Sequence, residues 1–101
     1  MEKETQKAII KYLNLSGHYV WRNNSGMVFS EYKGKKRMWS VGLKGSSDII
    51  GIAKDGKFIA VEVKAKKNKA SLYQQMFLAE VKKKGGYAIV AYSLEDVMKF
   101  L

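Results

Sequence analysis

The period of apolar and polar positions changes repeatedly along the chain, and each change predicts an element. Between residues 2 and 15, Thr5, Ile9, Tyr12 and Leu13 recur at helical spacing beside a second row of Glu4, Ala8, Tyr12 and Leu15. This predicts an amphipathic helix with Glu4 at the edge of its buried face, stopped at Ser16 and Gly17. Residues 18–22 read as a strand running into turn-formers at 23–26. Residues 27–32 and 38–41 are β-prone and predict a hairpin, with the basic stretch 33–37 as its connection. Two apolar strands follow within 48–64. Ser71 is a candidate N-cap for a helix reaching Lys84, with Tyr73, Phe77 and Val81 in one row. Gly85 and Gly86 end it, and residues 87–92 form a short apolar strand. Ser93 and Asp96 have capping-box spacing and would open a last helix over 94–101. No repeat or linker interrupts this order. The expectation is one α/β domain over residues 1–101, a mixed sheet with helices on its faces.

The stretch 48–64 holds charges at the ends of otherwise apolar strands. Glu62 and Lys64 are two apart, so both project from one face of a strand. Whether Asp48 shares that face depends on the turn. A two-residue loop at Asp55 and Gly56 puts Asp48 and Glu62 on opposite faces. A three-residue loop from Lys54 to Gly56 pairs Asp48 with Glu62, and needs Gly56 in the left-handed conformation.

Composition narrows the chemistry. The chain has no cysteine and one histidine, His18, so thiolate sites and histidine clusters are excluded and any metal must be a hard cation on oxygen ligands. The missing cysteines fit an intracellular location, and no apolar run is long enough to span a membrane. Net charge is +10, from 19 Lys+Arg against 9 Asp+Glu, which favours polyanionic partners, nucleic acid first. The basic residues cluster: Lys33, Lys35, Lys36 and Arg37; then Lys64, Lys66, Lys67 and Lys69; then Lys82, Lys83 and Lys84. In the first group Phe29, Tyr32 and Trp39 alternate with charge, which suits nucleic-acid contact; a solvated loop or a self-association patch reads the same way.

If Asp48 and Glu62 share a face, they repel unless a cation sits between them. Mg²⁺ or Mn²⁺ there, with Lys64 alongside, is a site for hydrolysing a phosphodiester. An isolated Glu-x-Lys triplet is more often a weak surface ion pair, so the specificity lies in the combination.

That combination resembles the PD-(D/E)XK nuclease superfamily. Gly45, Ser46, Ser47 and Asp48, then Glu62, Val63 and Lys64, then Gln74 and Phe77, are similar to its VRR-NUC family, and the segment 22–26 also looks like one common there. The resemblance implies a restriction-endonuclease-like core with metal on Asp48, Glu62 and the carbonyl of Val63. Lys64 would be the catalytic lysine and Gln74 a helix glutamine of the site, although Gln75 leaves that register open. An acid of the first helix, Glu4 with Glu2 as the fallback, would complete the metal site. Arg22, Asn23, Lys35, Lys36, Arg37, Lys66 and Lys67 would touch DNA.

The implied activity is structure-selective endonuclease cleavage of branched DNA such as flaps or Holliday junctions. Cutting both strands of a symmetric junction needs two sites, hence a homodimer. The rival is a non-catalytic basic module that binds nucleic acid beside a replication or repair partner. His18 and Asp55 are expected to be structural.

Overall fold

In the computed structural model the elements run α1 (Glu2–Leu15), β1 (Tyr19–Arg22), β2 (Gly26–Tyr32), β3 (Lys35–Val41), β4 (Ile49–Ile52), β5 (Phe58–Val63), α2 (Leu72–Lys83), β6 (Tyr87–Ala91) and α3 (Leu94–Phe100). The structure describes residues 2–23 and 26–101, apart from the side chains at 26–30, 32 and 36–41. This is the order expected from the hydrophobic pattern. One sheet has the order β1-β4-β5-β6, and β2 and β3 form a separate two-stranded ribbon. Within the larger sheet β1, β4 and β5 pair antiparallel and β6 joins β5 in parallel, so the sheet is mixed.

Burial follows from the alternation along β5, which is covered on both faces and buried at every residue after Phe58. Ile59, Val61 and Val63 point to the face where Ile9 and Leu13 of α1 and Val97 of α3 pack, with Val20, Ile49 and Ala91. Ala60 points to the other face, against Leu78 and Val81 of α2 and Ala88 of β6. Tyr73 leaves the predicted buried row: it is exposed, and Leu78 replaces it in the core. A contact invisible in the periodicity docks β1: the Asn14 side chain bonds both the N–H and the carbonyl of Val20. Because α2 covers β5 and β6 only, the cross-strand row Tyr19, Ile52 and Phe58 stays exposed, with Trp21 beside it.

Two expectations change in detail. The connection of the β2–β3 hairpin is shorter than the basic stretch: Lys33 and Gly34 both have positive φ, a two-residue turn of the hand that hairpins favour. Lys35, Lys36 and Arg37 therefore lie on β3. The capping box at α3 forms by half: Ser93 accepts the Asp96 N–H, but the short Asp96 carboxylate takes the N–H of Tyr92 instead of that of Ser93. Among the described residues no helix is long and apolar enough to cross a membrane.

The turn between β4 and β5 settles the question on which the site depends. Ala53 donates to the Lys57 carbonyl, Gly56 donates to the Ala53 carbonyl, and Gly56 has φ +90. Three residues, Lys54 to Gly56, thus close the hairpin, and Ile49 pairs with Val61. Asp55 is a turn residue as expected: its carboxylate accepts the Tyr87 hydroxyl and the Lys57 N–H, which hold its pKa below the usual range. The buried His18 braces the same turn, its Nδ1 accepting the Lys54 N–H at 3.1 Å. A Cβ at Gly56 would meet nothing within 4 Å. Gly56→Ala should therefore lose only the left-handed backbone preference, about 1–2 kcal/mol in urea unfolding.

Candidate active site

Extending the β4–β5 register by one residue sets Asp48 opposite Glu62, and a further pairing sets Asn23 opposite Asp48, since Asn23 donates to the Asp48 carbonyl at 2.8 Å. Directly opposed residues of antiparallel strands share a face. Asp48 and Glu62 therefore converge on the α2 side of the sheet, where the strand pair ends. Past that end the Val63 N–H has no β4 partner, and the Asp48 carboxylate takes it at 2.9 Å. That bond fixes one oxygen of Asp48 in the plane of the sheet.

Glu62 is the anomaly of the fold, a carboxyl only 2 % exposed. One oxygen, Oε2, accepts from Gln74 at 3.0 Å and lies 3.7 Å from the Lys64 ammonium. The other, Oε1, is buried and receives no donor; among the described residues only the Ser47 hydroxyl is likewise buried and unbonded. Burial, then the charge and hydrogen bond of Asp48, push the Glu62 pKa up to about 8 against the opposing pull of Lys64. A buried acid facing a half-buried one, with one oxygen lacking a donor, fits a divalent cation: the ion would replace the proton that the pair otherwise retains.

Gln74 owes its orientation to the helix that carries it. Ser71 caps α2, accepting the Gln74 N–H, while Gln74 Oε1 accepts the Ser71 N–H at 2.8 Å. This capping box uses the amide oxygen, so the NH₂ group must face the other way, toward Glu62. Gln75, the register alternative, is bound elsewhere, to the Ala70 carbonyl. We predict that Gln74→Ala lowers stability by about 1 kcal/mol through the lost cap and cleavage by about 10–100-fold. Gln74→Glu keeps the cap but sets a third carboxylate against Glu62 in place of a donor, so it should not restore the cleavage. Thermal unfolding and single-turnover cleavage of the two variants separate the roles.

The remaining candidates divide. Asn23 directs its amide donors inward, to the Ser46 hydroxyl at 2.7 Å and the Ser47 carbonyl at 3.0 Å, and so clamps the loop that delivers Asp48. No sequence pattern announces this role, because it exists only once β1 lies beside β4. Glu4 and Glu2 are exposed on the first turn of α1, and among the described residues no group of three acids or histidines forms at the site. The reason is the layering: α1 packs on the face of Val61 and Val63, opposite the Glu62 carboxylate. Arg22, Lys35, Lys66 and Lys67 are exposed. The side chains of Lys36, Arg37, Phe29, Tyr32 and Trp39, and residues Asn24 and Ser25, lie outside the described residues.

A mixed four-stranded sheet between helices, with acids at the end of its central hairpin, is a restriction-endonuclease-like α/β core. The VRR-NUC domain family matches residues 3–95, and the chain belongs to that family. A solved structure described as a VRR_NUC domain superposes with a TM-score of 0.66 at 23 % identity, over 97 % of this chain and 90 % of that one, a likeness of fold. Among curated proteins nothing matches. Membership makes this a nuclease-type domain.

Proposed function

We propose that residues 1–101 form a single nuclease domain that hydrolyses phosphodiester bonds of branched DNA with Mg²⁺ or Mn²⁺. The observation that carries this reading is Glu62, buried, held near a pKa of about 8 by burial and Asp48, with no donor to its Oε1 and with Lys64 3.7 Å from its Oε2. Asp48, Glu62 and the Val63 carbonyl would hold the metal. Bound there, a divalent cation supplies a water of lowered pKa and neutralises charge on the phosphate. Lys64, a compact cation with its side chain mostly buried, orients the attacking water and offsets the charge that builds on the phosphate oxygens. Gln74 holds the Glu62 carboxylate in place for this work. Lys66 and Lys67 follow Lys64 directly out of the sheet and, with Arg22, bind the flanking phosphates.

A non-catalytic binding module explains the charge of +10 equally well. It does not explain why a small domain buries an acid at a cost in stability. A second copy would cover the exposed row Tyr19, Trp21, Ile52 and Phe58 and so bring two sites to one junction.

The test is cleavage of flap, Holliday-junction and linear duplex DNA with Mn²⁺, with and without chelator. Branched DNA should be cut at least about tenfold faster than duplex, and chelation should stop the reaction. Binding of all three without cutting would establish the binding module instead.

A further inference from the structure

An open groove of about 360 Å³ runs between Leu43 and Lys44 on one side and α2 on the other. Leu43, Lys44, Tyr73 and Met76 line it near the surface, and Phe77 and Val81 line it more deeply. We propose that this groove is a subsite for one unpaired base of the DNA strand being cut, stacked on Tyr73 with Lys44 on its phosphate. The proposal rests on the nuclease reading and gives it a physical basis for selecting branches.

Three observations support it. The first is exposure: Leu43 is 65 %, Tyr73 51 % and Met76 58 % exposed, an apolar lining left open among the described residues. Its volume is in the range of small-ligand pockets. The second is the Lys44 ammonium, 4.2 Å from the centre of the Tyr73 ring. It lies over the ring face, so on binding DNA it would move to the phosphate and leave that face to the base, one group for each part of a nucleotide.

The third is location. Tyr73 directly precedes Gln74, which touches Glu62, and Lys44 lies in the loop that ends at Asp48. Gly45 ties the two walls together: a Cβ there would lie 2.6 Å from the backbone of Tyr73, so only glycine lets the loop approach the first turn of α2 this closely. The loop and the helix turn that bound the groove are thus the same two that carry Asp48 and Gln74.

Charge selects the occupant. A rim that carries Lys44, on a chain of net charge +10, attracts a polyanion. The acid of the groove, Glu80, pairs with Lys84 at 3.8 Å, which blunts its repulsion of DNA. A base within a duplex must unstack to enter, at a few kcal/mol, while a base at a flap or junction is already free. The groove therefore favours DNA with an unpaired nucleotide at the cut.

The test uses the full chain and a flap DNA carrying 2-aminopurine at its first unpaired position, with Ca²⁺ present and intact DNA confirmed on a gel. Wild type should change the 2-aminopurine emission through stacking and bind flap in preference to duplex. Tyr73→Ala should abolish the emission change and lower the flap-to-duplex affinity ratio about tenfold, and Tyr73→Phe should retain both. Thermal melting confirms that Tyr73→Ala is folded. An unchanged emission and ratio in Tyr73→Ala overturn the subsite, as does a change of oligomeric state on light scattering, which would assign the groove to a second copy. Mn²⁺ cleavage by the wild type is scored separately. Cutting without the Tyr73 effect leaves the nuclease and removes the subsite; the Tyr73 effect without cutting does the reverse.

Discussion

Glu62→Gln should make the metal-free protein more stable and inactive at once. The Glu62 pKa is raised from 4.5 to about 8 in the folded chain. Between those values the unfolded chain releases the proton and the folded chain keeps it. The stability contribution is therefore complete below about pH 4.5, declines as pH rises, and is lost above about pH 8. Glutamine carries no titratable proton, so the decline disappears. Its amide can donate to Asp48 as the protonated acid does, and its oxygen can accept from Gln74.

At about pH 8 the gain should be on the order of 2–4 kcal/mol, roughly 10–30 °C in Tm for a domain of this size. Divalent metal should raise the Tm of wild type and leave that of Glu62→Gln unchanged. Melting curves across pH 4–9, with and without Mn²⁺, check both. A pH-independent difference between the two proteins would refute the assignment of the proton to Glu62.

Lys64→Ala should cost about 10²–10³-fold in cleavage rate with little effect on folding. The lysine sits 3.7 Å from Glu62 and its side chain is only 19 % exposed, so water cannot freely replace its charge. Removing it also removes a cation that competes for Glu62, so Mn²⁺ affinity should hold or rise while the rate falls. Lys64→Arg should not rescue the rate, because a planar guanidinium is larger and spreads its charge over a fork. Single-turnover rates at saturating Mn²⁺ provide the comparison. Loss of rate explained by loss of metal affinity would transfer the role of Lys64 from chemistry to metal binding.

The site was legible in the sequence to the extent that local rules reach. Period-two alternation places Glu62 and Lys64 on one face whatever the rest of the fold does. Asp48 joins them only through the turn, and Asp55 with Gly56 is compatible with two loop lengths. The structure chooses the odd one, with Gly56 left-handed. Gln74 over Gln75 was readable in retrospect, because Ser71 three residues earlier makes a capping box with Gln74.

What stayed hidden depends on tertiary neighbours. Asn23 became a loop clamp because β1 pairs with β4. Helical spacing put Glu4 near the edge of the buried face but could not say which face of the sheet α1 would cover. Tyr73 fitted a core row by spacing, yet lies beyond the sheet against the Gly45 loop.

The central claim is that Asp48 and Glu62 bind one divalent cation in place of a proton. Calorimetric titration of Mn²⁺ at about pH 6.5, in two buffers of different ionisation enthalpy, measures both binding and proton release. The account predicts release of about one proton per bound ion, and loss of binding in Asp48→Asn and Glu62→Gln. Absence of Mn²⁺ binding, or binding unchanged in both variants, would contradict it.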